Sequence, residues 1–172
     1  LKGQFARRAV EKSYLAIVVG NPARDRFTVD APMRLVPGSA SGVRMEVAER
    51  DALPAVTEFF VRARSADHEL VEARPKTGRQ HQIRVHAMHA GTPLVGDKLY
   101  LRDETVFLRA IGGALDRAGI VDAVGHSRQA LHAWRATLGH PDDGSPITLT
   151  APWPEDFVEL ARRLGLALPS EA

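Results

Sequence analysis

Apolar and polar positions follow two rhythms along the chain, and the places where the rhythm changes mark its elements. Leu15-Ala16-Ile17-Val18-Val19 is an unbroken apolar run rich in β-branched residues, opened by Tyr14 and closed by Gly20-Asn21-Pro22, and reads as a buried strand. Phe27-Thr28-Val29-Asp30, ahead of Pro32, predicts a second, short strand, and the small and turn-forming residues 36–42 predict a loop. Thr57 to Ala66 and His68 to Ala73 read as two strands. Phe59, Val61 and Ala63 alternate there with Phe60, Arg62 and Arg64, and Ser65-Ala66-Asp67 turns the chain, so the pair predicts a hairpin. From 79 to 90 the period lengthens to that of a helix, with Ile83, Ala87 and Ala90 on one side. Thr77-Gly78-Arg79-Gln80 has the form of a capping box at its start, and Gly91 followed by Pro93 stops it.

Beyond the helix the pattern weakens. Phe107, Ile111, Leu115 and Ala118 allow one helix within 103–127, although Gly112-Gly113 falls inside it, and the stretch reads as a variable insertion. Gln129 to Leu138 and Ile147 to Thr150, joined through Pro141-Asp142-Asp143-Gly144, predict a final hairpin. A last helix after Pro154 places Phe157, Leu160, Ala161 and Leu164 on one face. No internal repeat or separating linker interrupts this order, which predicts one α+β domain over 1–172.

Composition narrows the function classes. With 44% apolar and 26% charged residues, the 172-residue chain has the balance of a globular protein able to bury a core. No apolar run approaches the roughly 20 residues that span a bilayer, so a membrane protein is not expected. Cysteine is absent, which excludes disulfides, thiol nucleophiles and Cys-ligated metals, and fits a cytoplasmic setting. The opening residues lack the apolar core of a secretory signal. Net charge is +2, but it is segregated: +3 over 1–14, −1 over 15–71, +4 over 72–102 and −4 over 103–172. Two basic segments suggest an anionic partner, or simply two solvated faces.

The densest polar stretch is Pro75-Lys76-Thr77-Gly78-Arg79-Gln80-His81-Gln82-Ile83-Arg84-Val85-His86. A helix start there leaves backbone N–H groups unpaired, and Lys76 and Arg79 reinforce it as an anion site. Arg84 lies one turn deeper. If Ile83 packs into the core, Arg84 either needs a carboxylate or carbonyl partner or snorkels to solvent. His81, His86 and His89 are spaced five and three apart, not four as in the two-His zinc helix, and no Glu follows His81, so no metal site is expected.

These segments resemble the signature of the RluA-like RNA pseudouridine synthases. The resemblance runs through Pro75 to His86 and on through Gly91-Thr92-Pro93-Leu94-Val95-Gly96-Asp97-Lys98-Leu99-Tyr100. Glu11-Lys12-Ser13-Tyr14-Leu15-Ala16 is similar to the family's Lys-x-Tyr-x-Ala motif, and Gln129-Ala130-Leu131-His132-Ala133 with Ala151-Pro152-Trp153-Pro154 matches its closing strand and turn. The resemblance implies the pseudouridine synthase fold: a mixed, largely antiparallel sheet with flanking helices and a central cleft. It implies isomerisation of uridine to pseudouridine in ribosomal or transfer RNA, with neither metal nor organic cofactor. Tyr14, which spacing alone would leave as a core aromatic, matches the family's active-site tyrosine. Arg84 matches the basic residue that pairs with the catalytic Asp. Lys12, Lys76, Arg79, His81, Gln82 and Lys98 are then expected to contact RNA or order the site.

The catalytic Asp of the family lies in a His-Arg-Leu-Asp motif a few tens of residues before the Lys-x-Tyr motif, whereas this chain begins 13 residues before Tyr14. None of its aspartates has that context. Asp97, in Gly96-Asp97, matches a family loop position and is expected to cap a turn. The chain is therefore expected to be the C-terminal part of a catalytic domain, inactive alone, or else an RNA-binding module derived from that fold. An open sheet edge is expected to favour self-association.

Overall fold

The run Leu15–Val19 lies at the centre of the architecture, because a strand apolar on both faces must be covered on both. The computed structural model describes residues 3–4, 7, 9–20 and 24–169. Asn21 and Pro22 of the predicted turn, and Lys2 and Arg8 of the basic opening segment, lie outside them. The strands are β1 (Glu11–Val19), β2 (Arg26–Asp30), β3 (Met33–Leu35), β4 (Met45–Val47), β5 (Val56–Arg64), β6 (His68–Pro75), β7 (Leu131–Gly139) and β8 (Pro146–Thr150). The helices are α1 (Gln82–His89), α2 (Glu104–Ile111), α3 (Arg117–Val124) and α4 (Glu155–Arg163).

Six strands form one sheet in the order β2-β5-β6-β1-β7-β8, and β3 pairs with β4. Every pairing is antiparallel, so the expected parallel component is absent among the described strands. On one face, Leu15 and Ile17 pack with Leu70, Trp134, Phe157 and Leu160 beneath α4. On the other, Ala16 and Val18 pack with Phe59, Val71, Ala73, Ile83 and Ala87 beneath α1. Burying each large side chain stabilises the fold by roughly 1.5–3 kcal/mol, so the two-sided burial of β1 anchors both layers. A third cluster, Met33, Ala55, Val85, Leu99 and Tyr100, fills the space under the β3–β4 ribbon.

Three local expectations are corrected. The helix begins at Gln82 and not at 79, because His81 adopts the left-handed conformation at φ 55° and supplies no side-chain cap. The reciprocal pairing expected of Thr77 and Gln80 is made instead by Thr77 and Gln82: the Thr77 hydroxyl donates to Gln82 Oε1 at 2.7 Å, and Arg79 N–H donates to the same oxygen at 3.0 Å. Residues 103–127 hold two helices, because Gly112-Gly113 ends α2 and does not sit inside it.

At the N-terminus of α4, Asp156 accepts from Arg128 Nε at 2.6 Å and Nη2 at 2.7 Å, which holds its carboxyl down at about 2. A carboxyl depressed below its ordinary 3.8 contributes stability above that value and loses it as pH falls toward about 2. Urea midpoints of wild type and Asp156→Asn are therefore expected to converge on acidification through that window. A constant gap between them would contradict the pairing's role.

Candidate active site

Tyr14 sits where the sheet opens. Its backbone partners are Ala73 on β6 and Ala133 on β7, so small neighbours flank the ring on both sides. The pairing of β1 with β7 shifts register between Ser13 and Tyr14, the kind of irregularity that bends a strand locally. The ring is half-buried, its hydroxyl makes no hydrogen bond among the described residues, and burial raises its pKa. Beside it opens a cavity of about 270 Å³ whose lining includes Lys12, Tyr14, Arg79, His81, Gln82 and Arg84. That volume is near the lower end of small-ligand pockets, roughly 300–1,000 Å³.

Arg84 does not snorkel. Its Nε donates to Asp97 Oδ2 and its Nη2 to Asp97 Oδ1, both at 2.7 Å, a bidentate pair with the arginine side chain 13% exposed and the carboxylate 0%. The guanidinium also lies 4.8 Å from the Tyr100 ring centre. Its Nη1 makes no hydrogen bond among the described residues, so one edge is fixed and the other is unused. Asp97 does cap a turn, accepting from the N–H groups of Leu99 at 3.0 Å and Tyr100 at 3.1 Å. Its pairing with Arg84 is the part that the sequence did not disclose. Gly96 is required before it: φ is +76°, and a Cβ there would meet the Arg128 carbonyl oxygen at 1.9 Å.

The other residues singled out in the sequence divide by placement. Gln82 is buried and spends its amide internally, donating to the Val56 carbonyl and the Thr57 hydroxyl, both at 2.9 Å, so it orders the turn. The Thr57 hydroxyl in turn bonds His86 Nδ1 at 2.9 Å, and His86 Nε2 bonds the Ala31 carbonyl at 3.0 Å. That chain of bonds ties the loop to the core. Burial lowers the His86 pKa. Lys12 has no ion pair among the described residues and stands over Gly78, while half-buried Arg79 donates to the Pro54 carbonyl at 3.1 Å. Lys76 pairs with Glu58 at 2.8 Å and lines a neighbouring groove of about 520 Å³ that shares Lys12 and Pro75 with the cavity. Lys98 does not reach the cavity. Its ammonium donates to the Ser127 carbonyl at 2.7 Å, and burial lowers its pKa. Among the described residues, no three His, Asp or Glu side chains are grouped to hold a metal.

A half-buried tyrosine and a clamped arginine are brought to one cavity beside the antiparallel sheet. The chain belongs to the RNA pseudouridylate synthase family, whose model matches residues 1–89. It is 40% identical over 94% of its length to the ribosomal large subunit pseudouridine synthase D of Xanthomonas campestris, covering 46% of that protein. It is 35% identical over 95% of its length to an uncharacterized RNA pseudouridine synthase of Bacillus subtilis, covering 47% of it. The structure superposes on human RNA pseudouridylate synthase domain containing 4 with a TM-score of 0.71 at 27% identity, over 98% of this chain and 67% of that one. The chain thus spans about half the length of the curated relatives named here.

Proposed function

We propose that the natural protein containing this chain isomerises uridine to pseudouridine in RNA, with large-subunit ribosomal RNA the substrate that the relatives' names favour. The observation that carries this reading is the Arg84–Asp97 clamp, which fixes one guanidinium edge and leaves Nη1 without a partner among the described residues, on an arginine that lines the cavity beside Tyr14. A second carboxylate, supplied from outside residues 1–172, pairs with that edge and is held ionised by it. Reaching the target requires flipping the base from its stack, and Tyr14 gives it a surface on which to rest. The N1–C1′ bond then breaks, the uracil turns, C5–C1′ forms, the C5 proton leaves and N1 takes one up. Lys12 and Arg79 face the phosphate backbone at the rim, with Lys76 and the adjoining groove beyond them.

The test is tritium release from C5-labelled uridine in transcripts of large-subunit ribosomal RNA incubated with the natural protein. Stoichiometric release supports the reading, and salt-sensitive binding without release would make the chain part of an RNA-binding module. Lys12→Ala and Arg79→Ala are each expected to reduce the salt slope of binding by about one.

A ribosomal RNA substrate supports a cytoplasmic setting; no described helix is long and apolar enough to cross a membrane. The edge strand β8 is largely exposed, with Leu149 at 58%, and this supports self-association along it. A monomer in concentrated sedimentation runs would contradict that.

A further inference from the structure

His81 opens α1 in a conformation that a non-glycine residue rarely adopts, φ 55° and ψ 15°. Its side chain makes no cap hydrogen bond in return, so helix capping does not account for the conformation. What the turn achieves is the placement of the imidazole. It stands edge-on to Tyr100, ring centres 5.7 Å apart and planes at 78°, and lines the cavity that holds Tyr14 and Arg84.

Counting protons settles how this ring is held. Its Nδ1 lies 2.9 Å from the Tyr100 hydroxyl, and that same oxygen accepts the Met45 N–H at 2.9 Å. Tyr100 is 3% exposed, and its hydroxyl has no other partner among the described residues. If Nδ1 carried the proton, the phenol would receive two donors and its own proton would be buried without an acceptor, at a cost of roughly 1–3 kcal/mol. With the phenol donating to Nδ1, every group is satisfied, and the imidazole proton resides on Nε2. Burial, with the Arg84 charge adding to it, lowers the His81 pKa to about 4, so the ring is neutral at ordinary pH. Burial raises the Tyr100 pKa, so the phenol keeps the proton that it donates. Nε2–H has no acceptor among the described residues.

We infer that His81 is a base-reading residue, donating its Nε2–H to a carbonyl oxygen of the pyrimidine seated in the cavity. Tyr100 acts through it as a positioning residue that fixes the tautomer. A neutral N–H brings no charge to a phosphate contact, which Lys12 and Arg79 already supply, and it matches an uncharged carbonyl. This assignment rests on the proposed RNA reading and replaces backbone contact with base contact for this one residue.

The test uses the natural protein and uridine-containing transcripts of large-subunit ribosomal RNA, with wild-type tritium release measured first. Absence of release by wild type would overturn the functional reading itself. With wild type active, His81→Ala is expected to slow single-turnover release about tenfold and to leave the salt slope of RNA binding unchanged. His81→Gln, which restores a neutral N–H donor, is expected to recover most of the rate. A salt slope reduced by about one in His81→Ala would show a phosphate contact and overturn the inference. So would an unchanged rate in His81→Ala, or failure of His81→Gln to recover in a protein whose unfolding midpoint matches wild type.

Discussion

Replacing Asp97 with Ala is expected to destabilise the protein by about 3–5 kcal/mol, because it leaves the Arg84 guanidinium buried without its carboxylate. The same change strips the acceptor from the Leu99 and Tyr100 N–H groups, both within the buried turn. Asp97→Asn keeps Oδ1 for those two donors and for Arg84 Nη2, but loses the charge and the acceptor for Arg84 Nε–H, so its cost is expected to be smaller than that of Ala. Urea denaturation of the three proteins orders them wild type, Asn, Ala. An Ala variant within about 0.5 kcal/mol of wild type would mean that Arg84 turns freely to solvent, as unburdened surface substitutions do, and the clamp would have no structural weight.

The second large effect is on chemistry. Arg84→Met alone mixes two losses, since it also abandons the buried Asp97 carboxylate. The double variant Arg84→Met/Asp97→Asn removes both charges together while keeping the turn cap, and exchanging a whole buried pair for uncharged groups is often close to neutral for stability. This variant is expected to fold with a midpoint nearer to wild type than Asp97→Ala. Its activity is nonetheless expected to fall on the order of 10²-fold or more, the scale on which preorganised donors contribute to catalysis. The incoming catalytic carboxylate would lose the cation that holds it ionised and in place.

Much of the frame was legible from local pattern. The apolar run of β1, the alternation along β5 and the Phe157-Leu160-Ala161 face of α4 each follow from burial by one or two neighbouring layers. The three-residue strands β3 and β4 were not legible, because Met33–Leu35 and Met45–Val47 are too short to show a period and are fixed by the cluster beneath them. The helix start was misplaced because a capping box read from spacing assumes a continuous first turn. The left-handed His81 inserts a bend, and Gln82 takes the role of Gln80.

In the site, motif residues identified Tyr14, Arg79 and His81, which do reach one cavity. The partner of Arg84 was not readable, since Asp97 lies 13 residues away across a turn that only tertiary packing closes. The buried chain from Thr77 through Gln82 and Thr57 to His86 joins β5, α1 and the loop before α1, and has no sequence period at all. Lys98 stands apart: its charge suggested a basic groove, and its ammonium donates to the Ser127 carbonyl away from the cavity.

The central claim is that the Arg84–Asp97 pair serves the reaction and not merely the fold. Single-turnover tritium release from C5-labelled ribosomal RNA transcripts, compared between wild type and Arg84→Met/Asp97→Asn under conditions where both are fully folded, tests it most directly. Release by wild type and a loss on the order of 10²-fold or more in the double variant are expected. A folded double variant that releases tritium at the wild-type rate would contradict it.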